Sequence, residues 1–216
     1  MPVELAPAVE SQLPPGSPLI YPPRKRWTRA ECESLEATGL WNRDRFELIE
    51  GELITKMSKN RPHSVVYVAL LTWASAIFGM EFLNPESPLD VAPQDNSTSE
   101  PEPDIAVLAK PGTEYMSALP TASDARLLIE VSDSTLAFDL GPKARLYARA
   151  AIPEYWVADI KGRRIIVHRY PQGGVYSSVT VYAEGESVSP LALPTASLPV
   201  ATAFPFPADQ VPAADL

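Results

Sequence analysis

The chain has 216 residues, which suits one domain of ordinary size with a sizeable core and short tails. Acidic residues outnumber basic ones, 27 to 18, and the resulting charge of −9 argues against a protein that coats nucleic acid by bulk charge. A single cysteine, Cys32, excludes an internal disulfide; no apolar run is long enough to span a bilayer, and the first residues lack a basic-then-apolar signal, so a cytoplasmic protein without membrane association is expected.

Seven prolines fall between positions 1 and 23 and six between 185 and 216. Proline fixes φ and removes a backbone donor, which disfavours helix and central strand. Residues 1–24 and 207–216 therefore read as tails around a domain spanning 25–206. Thr28 with Glu31 makes a capping box and Gly39 a stop, predicting a helix over 29–38 in which Cys32 packs. RFELIEGELITKM predicts a β-hairpin turning at Glu50-Gly51. Pro62 opens a helix ended by Gly79, despite the poor helix formers Val65, Val66 and Val68. Residues 80–91 carry two weak strand signals. Residues 104–108 predict a short buried strand, and the continuous apolar run 127–131 a strand covered on both faces. Pro142 suits a first helical turn, predicting a helix over 143–150 that Pro153 ends. Strands follow at 155–159, 164–170 and 175–182, the last two joined by a turn at 171–174. The expected class is α/β: a mixed β-sheet flanked by helices, with an additional C-terminal β-hairpin.

An acid stands out. Glu130 lies inside LLIEV, and an unpartnered carboxylate in a doubly covered strand costs several kcal/mol or shifts its pKa. A metal ion, a basic side chain or a sheet edge would each relieve it. Asp104 opens another short apolar strand, and neighbouring strands would set the two carboxylates side by side, which requires a cation or a shared proton. Magnesium takes such oxygens, and the Val131 carbonyl could add one. Lys143, early in the following helix, could project back over the strand end, hold an attacking water and offset charge on a phosphate. Tyr147, one turn on, reads as a packing residue or a substrate contact. Glu47 in FELIEG is a third acid in a strand, aimed at the site or at solvent. Glu50 reads as turn chemistry and Asp139 as a cap of the Lys143 helix or a hydrogen-bond partner of the site. His63 could reach a phosphate, whereas His168, in an exposed-looking hairpin, reads as structural. GxGxxG, P-loop and GxSxG patterns are absent from the sequence.

The segments RFELIEGELI, Pro62-His63, PEPDIAVL and LLIEVSDSTLAFDLGPKARLYARAAIPEYWVAD, with the terminal hairpin, resemble the Uma-type restriction endonucleases of the PD-(D/E)XK nuclease superfamily. The resemblance runs from about Arg45 to Phe204. It implies a restriction-endonuclease-like core and Mg2+-dependent hydrolysis of phosphodiester bonds, with Mn2+ as a substitute ion. By position, Asp104 and Glu130 correspond to the metal ligands, Glu47 to an additional acid and Lys143 to the catalytic lysine. Ser132 departs from the simple superfamily pattern, which has a lysine two residues after the strand acid. The resulting expectation is an endonuclease acting on DNA, as a homodimer by analogy with enzymes that cut both strands. Arg145, Arg149, Lys161, Arg163, Arg164 and Arg169 would supply a local basic face. Two rivals stand beside it: a catalytically degenerate nucleic-acid-binding module and a structural or interaction protein working through its proline-rich ends.

Overall fold

The computed structural model describes residues 23–39, 42, 45–56, 60–207 and 209. The tail readings for 1–22 and 210–216 lie outside these residues. Helix α1 (Arg29–Ala37) starts at the expected capping box, in which Thr28 Oγ1 accepts from the Glu31 N–H and Glu31 accepts from the Thr28 N–H. Strands β1 (Phe46–Ile49) and β2 (Glu52–Thr55) form an antiparallel hairpin. Glu50 and Gly51 turn it with φ of 50° and 79°, the left-handed pair a two-residue hairpin needs. This hairpin is a sheet of its own, outside the main one. Helix α2 (Arg61–Phe78) is capped by the Asn60 side chain, which accepts from the His63 N–H, and ends at Gly79, where φ is 90°.

The main sheet has six strands in the order β3-β4-β5-β6-β7-β8: β3 (Leu83–Pro85), β4 (Ile105–Leu108), β5 (Ala125–Ser132), β6 (Glu154–Asp159), β7 (Arg164–Gln172) and β8 (Val175–Ala183). Only β5 and β6 are parallel; every other pair is antiparallel. Of the two weak signals over 80–91, only β3 becomes a strand; a one-turn helix α3 (Pro93–Asn96) follows it. The last hairpin turns on Gly173-Gly174 alone, because Pro171 and Gln172 remain paired with Tyr176 and Val175.

The segment between β5 and β6 departs from the sequence reading. Helix begins at α4 (Leu136–Phe138), widens into a π-helical segment over Asp139–Lys143, and continues as α5 (Ala144–Arg149). Pro142 is therefore inside helical structure and not at its first turn. A proline has no N–H to give, and the wider π turn absorbs the missing bond.

One face of the sheet packs Ile105, Ile129, Trp156 and Val167 against α2 and the C-terminal residues. There Trp73 of α2 stacks on Trp156 at 5.6 Å. The proline-rich stretch before residue 206 is part of this layer. It forms β9 (Ser187–Val188), β10 (Leu198–Pro199) and the one-turn α6 (Val200–Ala203), with Val188, Leu198, Val200 and Phe204 buried. The other face packs Leu128, Tyr155, Val157 and Ile166 against α5 and Ile49 of the hairpin. Among the described residues no helix is long and apolar enough to cross a membrane.

Candidate active site

Strand pairing sets the first two acids. Ile105 faces Ile129 across β4 and β5, so one step further Asp104 comes opposite Glu130. Asp104 Oδ2 accepts from the Val131 N–H at 2.8 Å. Successive side chains of a strand alternate faces, so Glu130 shares the face of Leu128, beneath α5. Glu130 is 4% exposed.

The π-helical segment supplies the cation. Lys143, 5% exposed, places Nζ 2.9 Å from Glu130 Oε1 and 3.0 Å from Glu47 Oε2. Tyr147, one turn later, donates its hydroxyl to Glu130 Oε1 at 3.1 Å. Glu47 arrives on β1, and its other oxygen accepts from the Glu102 N–H at 2.8 Å. Two sheets and one helix thus converge: Glu47, Glu130 and Lys143 are buried together, with the half-buried Asp104 beside Glu130.

Its electrostatics follow from burial. Desolvation pushes the Glu47 carboxyl up against the pull of Lys143, and pushes Glu130 well above the usual carboxylate range, with Asp104, Asp139 and Glu47 adding repulsion. Burial acts to raise Asp104 as well, but His63 and the Val131 N–H outweigh it and hold the carboxyl below its ordinary value. Burial works against the Lys143 ammonium, yet Glu130, Glu47 and Asp139 outweigh it and keep its pKa well above the usual lysine value. Burial and Glu130 together push the Tyr147 hydroxyl far up, so it stays a donor.

The remaining expectations divide. His63 sits at the mouth of the cluster, Nε2 3.6 Å from Asp104 Oδ2. Tyr147 is fully buried, and its hydroxyl meets Glu130. Asp139 does not cap a helix; its Oδ2 accepts from Ser132 Oγ at 2.5 Å and Thr135 Oγ1 at 2.7 Å, tying the helical segment to the end of β5. His168 is buried, 5% exposed, between the Tyr155 and Tyr176 rings. The expected basic face is a set of ion pairs. Arg149 holds Glu50 and Asp95, Lys161 Asp133, Arg163 Glu184, Arg164 Asp159 and Arg169 Glu154, leaving Arg145 as an exposed member without such a contact among the described residues. Except for Asp159, five residues before Arg164, each of these acids is near in space and distant in the chain, which linear spacing does not reveal. Ser132 and the Glu102 N–H were not anticipated as partners of the site. The one available signal was Ser132 standing two residues after Glu130.

A family model described as "Uma2: Putative restriction endonuclease" matches residues 30–201. No curated protein matches the chain. The fold resembles the crystal structure of "a putative nuclease belonging to DUF820" from Anabaena variabilis ATCC 29413, with a TM-score of 0.60 at 16% identity, covering 79% of this chain and 96% of that one. That likeness extends to the six-stranded mixed sheet with its flanking helices. With the family match spanning most of its length, the chain belongs to the Uma2 family.

Proposed function

We propose that this protein is a divalent-cation-dependent endonuclease hydrolysing phosphodiester bonds in DNA. The observation that carries the reading is a buried ammonium held between Glu130 and Glu47, beside Asp104 on the adjacent strand, in a chain of a family described by nuclease activity. Four buried or nearly buried acids, Glu47, Asp104, Glu130 and Asp139, surround one lysine, and such an excess of negative charge fits a cation. Among the described residues no group of three or more His, Cys, Asp or Glu side chains is placed to hold a metal ion, so protein side chains would supply only part of the shell. Asp104, Glu130 and the Val131 carbonyl would hold Mg2+ or Mn2+, with water and substrate oxygens completing the shell in the manner usual for magnesium. The ion, when bound, polarises the scissile phosphate and acidifies a water.

The chain's own residues do the rest. Lys143 stays charged, offsets the negative charge developing on phosphate and orients the attacking water. Glu47 and Tyr147 fix the positions of Lys143 and Glu130, so little reorganisation is needed when substrate arrives. Cutting both strands of a duplex would use two copies. A second reading, a silent DNA-binding module, draws on the fact that Lys143 already neutralises part of Glu130 and Glu47.

The test compares wild type with Glu130→Gln on supercoiled plasmid and single-stranded DNA, with magnesium or manganese. Glutamine keeps the shape and still accepts from Lys143 and Tyr147, so the variant folds. Wild type cuts only with metal, and the variant loses roughly a hundredfold or more in rate. Equal cleavage by both proteins would exclude this site. DNA binding without magnesium uptake by calorimetry, and without cutting, would favour the silent module.

A further inference from the structure

A polyanion must reach a site rich in buried acid on a chain of charge −9, while most of the arginines of the last third are tied up with carboxylates. One stretch has the opposite character. From residue 53 to residue 80 there is no acidic residue, and the basic residues fall together at its start, ahead of and within the first turn of α2. Its described ends border the carboxylate cluster at three points. Lys56 pairs with Glu102 at 2.6 Å, and the Glu102 N–H holds Glu47. The Asn60 amide donates to Asp133 at 2.5 Å, just past the end of β5. His63 lies 3.6 Å from Asp104. Arg61, between them, is exposed. Lys56 and Glu102 are both partly solvent-accessible, at 31% and 20%, so a phosphate can exchange into that pair.

We propose that Lys56 and the first turn of α2, with Arg61, form the surface on which the phosphodiester backbone of the substrate lies, Lys56 and Arg61 being its anchoring cations. The assignment rests on the nuclease reading and adds to it the edge from which the strand approaches. Backbone contacts of this kind position a nucleic acid without reading its bases, so Lys56 and Arg61 set affinity and register and not sequence preference.

Binding of fluorescein-labelled single-stranded and duplex DNA is measured by polarisation, with calcium in place of magnesium, over a series of salt concentrations. The proteins are wild type, Arg61→Ala, Lys56→Gln and, as a control on the exposed side of β5, Arg126→Ala. Arg61→Ala and Lys56→Gln each weaken binding several-fold and reduce the slope of log affinity against log salt by about 1, whereas Arg126→Ala matches wild type. Wild-type affinity and slope in both the Lys56 and the Arg61 variant would overturn the assignment while leaving the nuclease reading intact. A wild type that neither binds nor cuts either DNA would overturn both.

Discussion

Glu130 can be buried in β5 because Lys143 and Tyr147 both donate to its Oε1. Its misfit in an apolar strand made it legible in the sequence, as did the position of Asp104. Glu47 could not be resolved in advance, because a four-residue strand offers an acid either face and only the docking of the hairpin chooses. His168 shows the same limit. An alternating, outward-looking hairpin concealed a residue that Tyr155 and Tyr176 enclose. Burial lowers the His168 pKa below its ordinary 6.5, outweighing the backbone bonds to Tyr155 and Ile166. The unfolded chain therefore takes up the proton first; stability is full above about pH 6.5 and falls as the pH drops through that value toward the folded pKa. The Arg169–Glu154 ion pair lies next to His168 on the same two strands. Urea unfolding at about pH 7.5 and 5.5 checks the sign: wild type loses more stability on acidification than His168→Phe. Parallel losses in the two proteins would remove His168 as the cause.

At the level of elements, the capping box of α1, the hairpin, α2 and the strands β4 to β8 were all readable, since caps, turn residues and apolar periods are local signals. The segment from Leu136 to Arg149 was not. A proline rule places Pro142 at a helix start, but the Asp139 bonds to Ser132 and Thr135 hold the preceding turn in helix and the π segment accommodates the ring. The β1–β2 hairpin is equally dependent on its surroundings. Gly51, at φ 79°, gives its N–H to the Thr98 carbonyl and accepts from the Trp27 N–H, and a Cβ there would stand 2.8 Å from Arg26 Cβ. Gly51→Ala therefore costs about 1–3 kcal/mol through left-handed strain and collision. Because the hairpin carries Glu47 to Lys143, the proposed nuclease activity is expected to fall with it. Denaturant midpoints and plasmid nicking measured on the same preparation test the link, and an unchanged midpoint would contradict it.

For the molecule as a whole, the C-terminal layer is fastened by one buried acid. Glu154, at 0% exposure, accepts from Trp156 Nε1 at 2.9 Å, Arg169 Nε at 2.7 Å and the Leu191 N–H at 2.7 Å. Glu154→Ala strands a partly buried guanidinium and a buried indole N–H, and it should cost about 3–5 kcal/mol, read as a lowered unfolding midpoint and faster proteolysis after residue 186. A midpoint within error of wild type would show that the layer does not depend on Glu154. Taken by itself, the sequence determined the class of fold, the order of its strands and helices and the chemical types of Asp104, Glu130 and Lys143, because strand burial, caps and turns act over a few residues. Only the tertiary structure decided that Glu47 points inward, that Lys143 lies between two carboxylates, that Asp139 braces the helix against Ser132, and that all the late arginines but Arg145 are paired among the described residues. Those outcomes depend on which distant charges and faces meet, and in a low-dielectric interior that meeting, not local spacing, sets the energy.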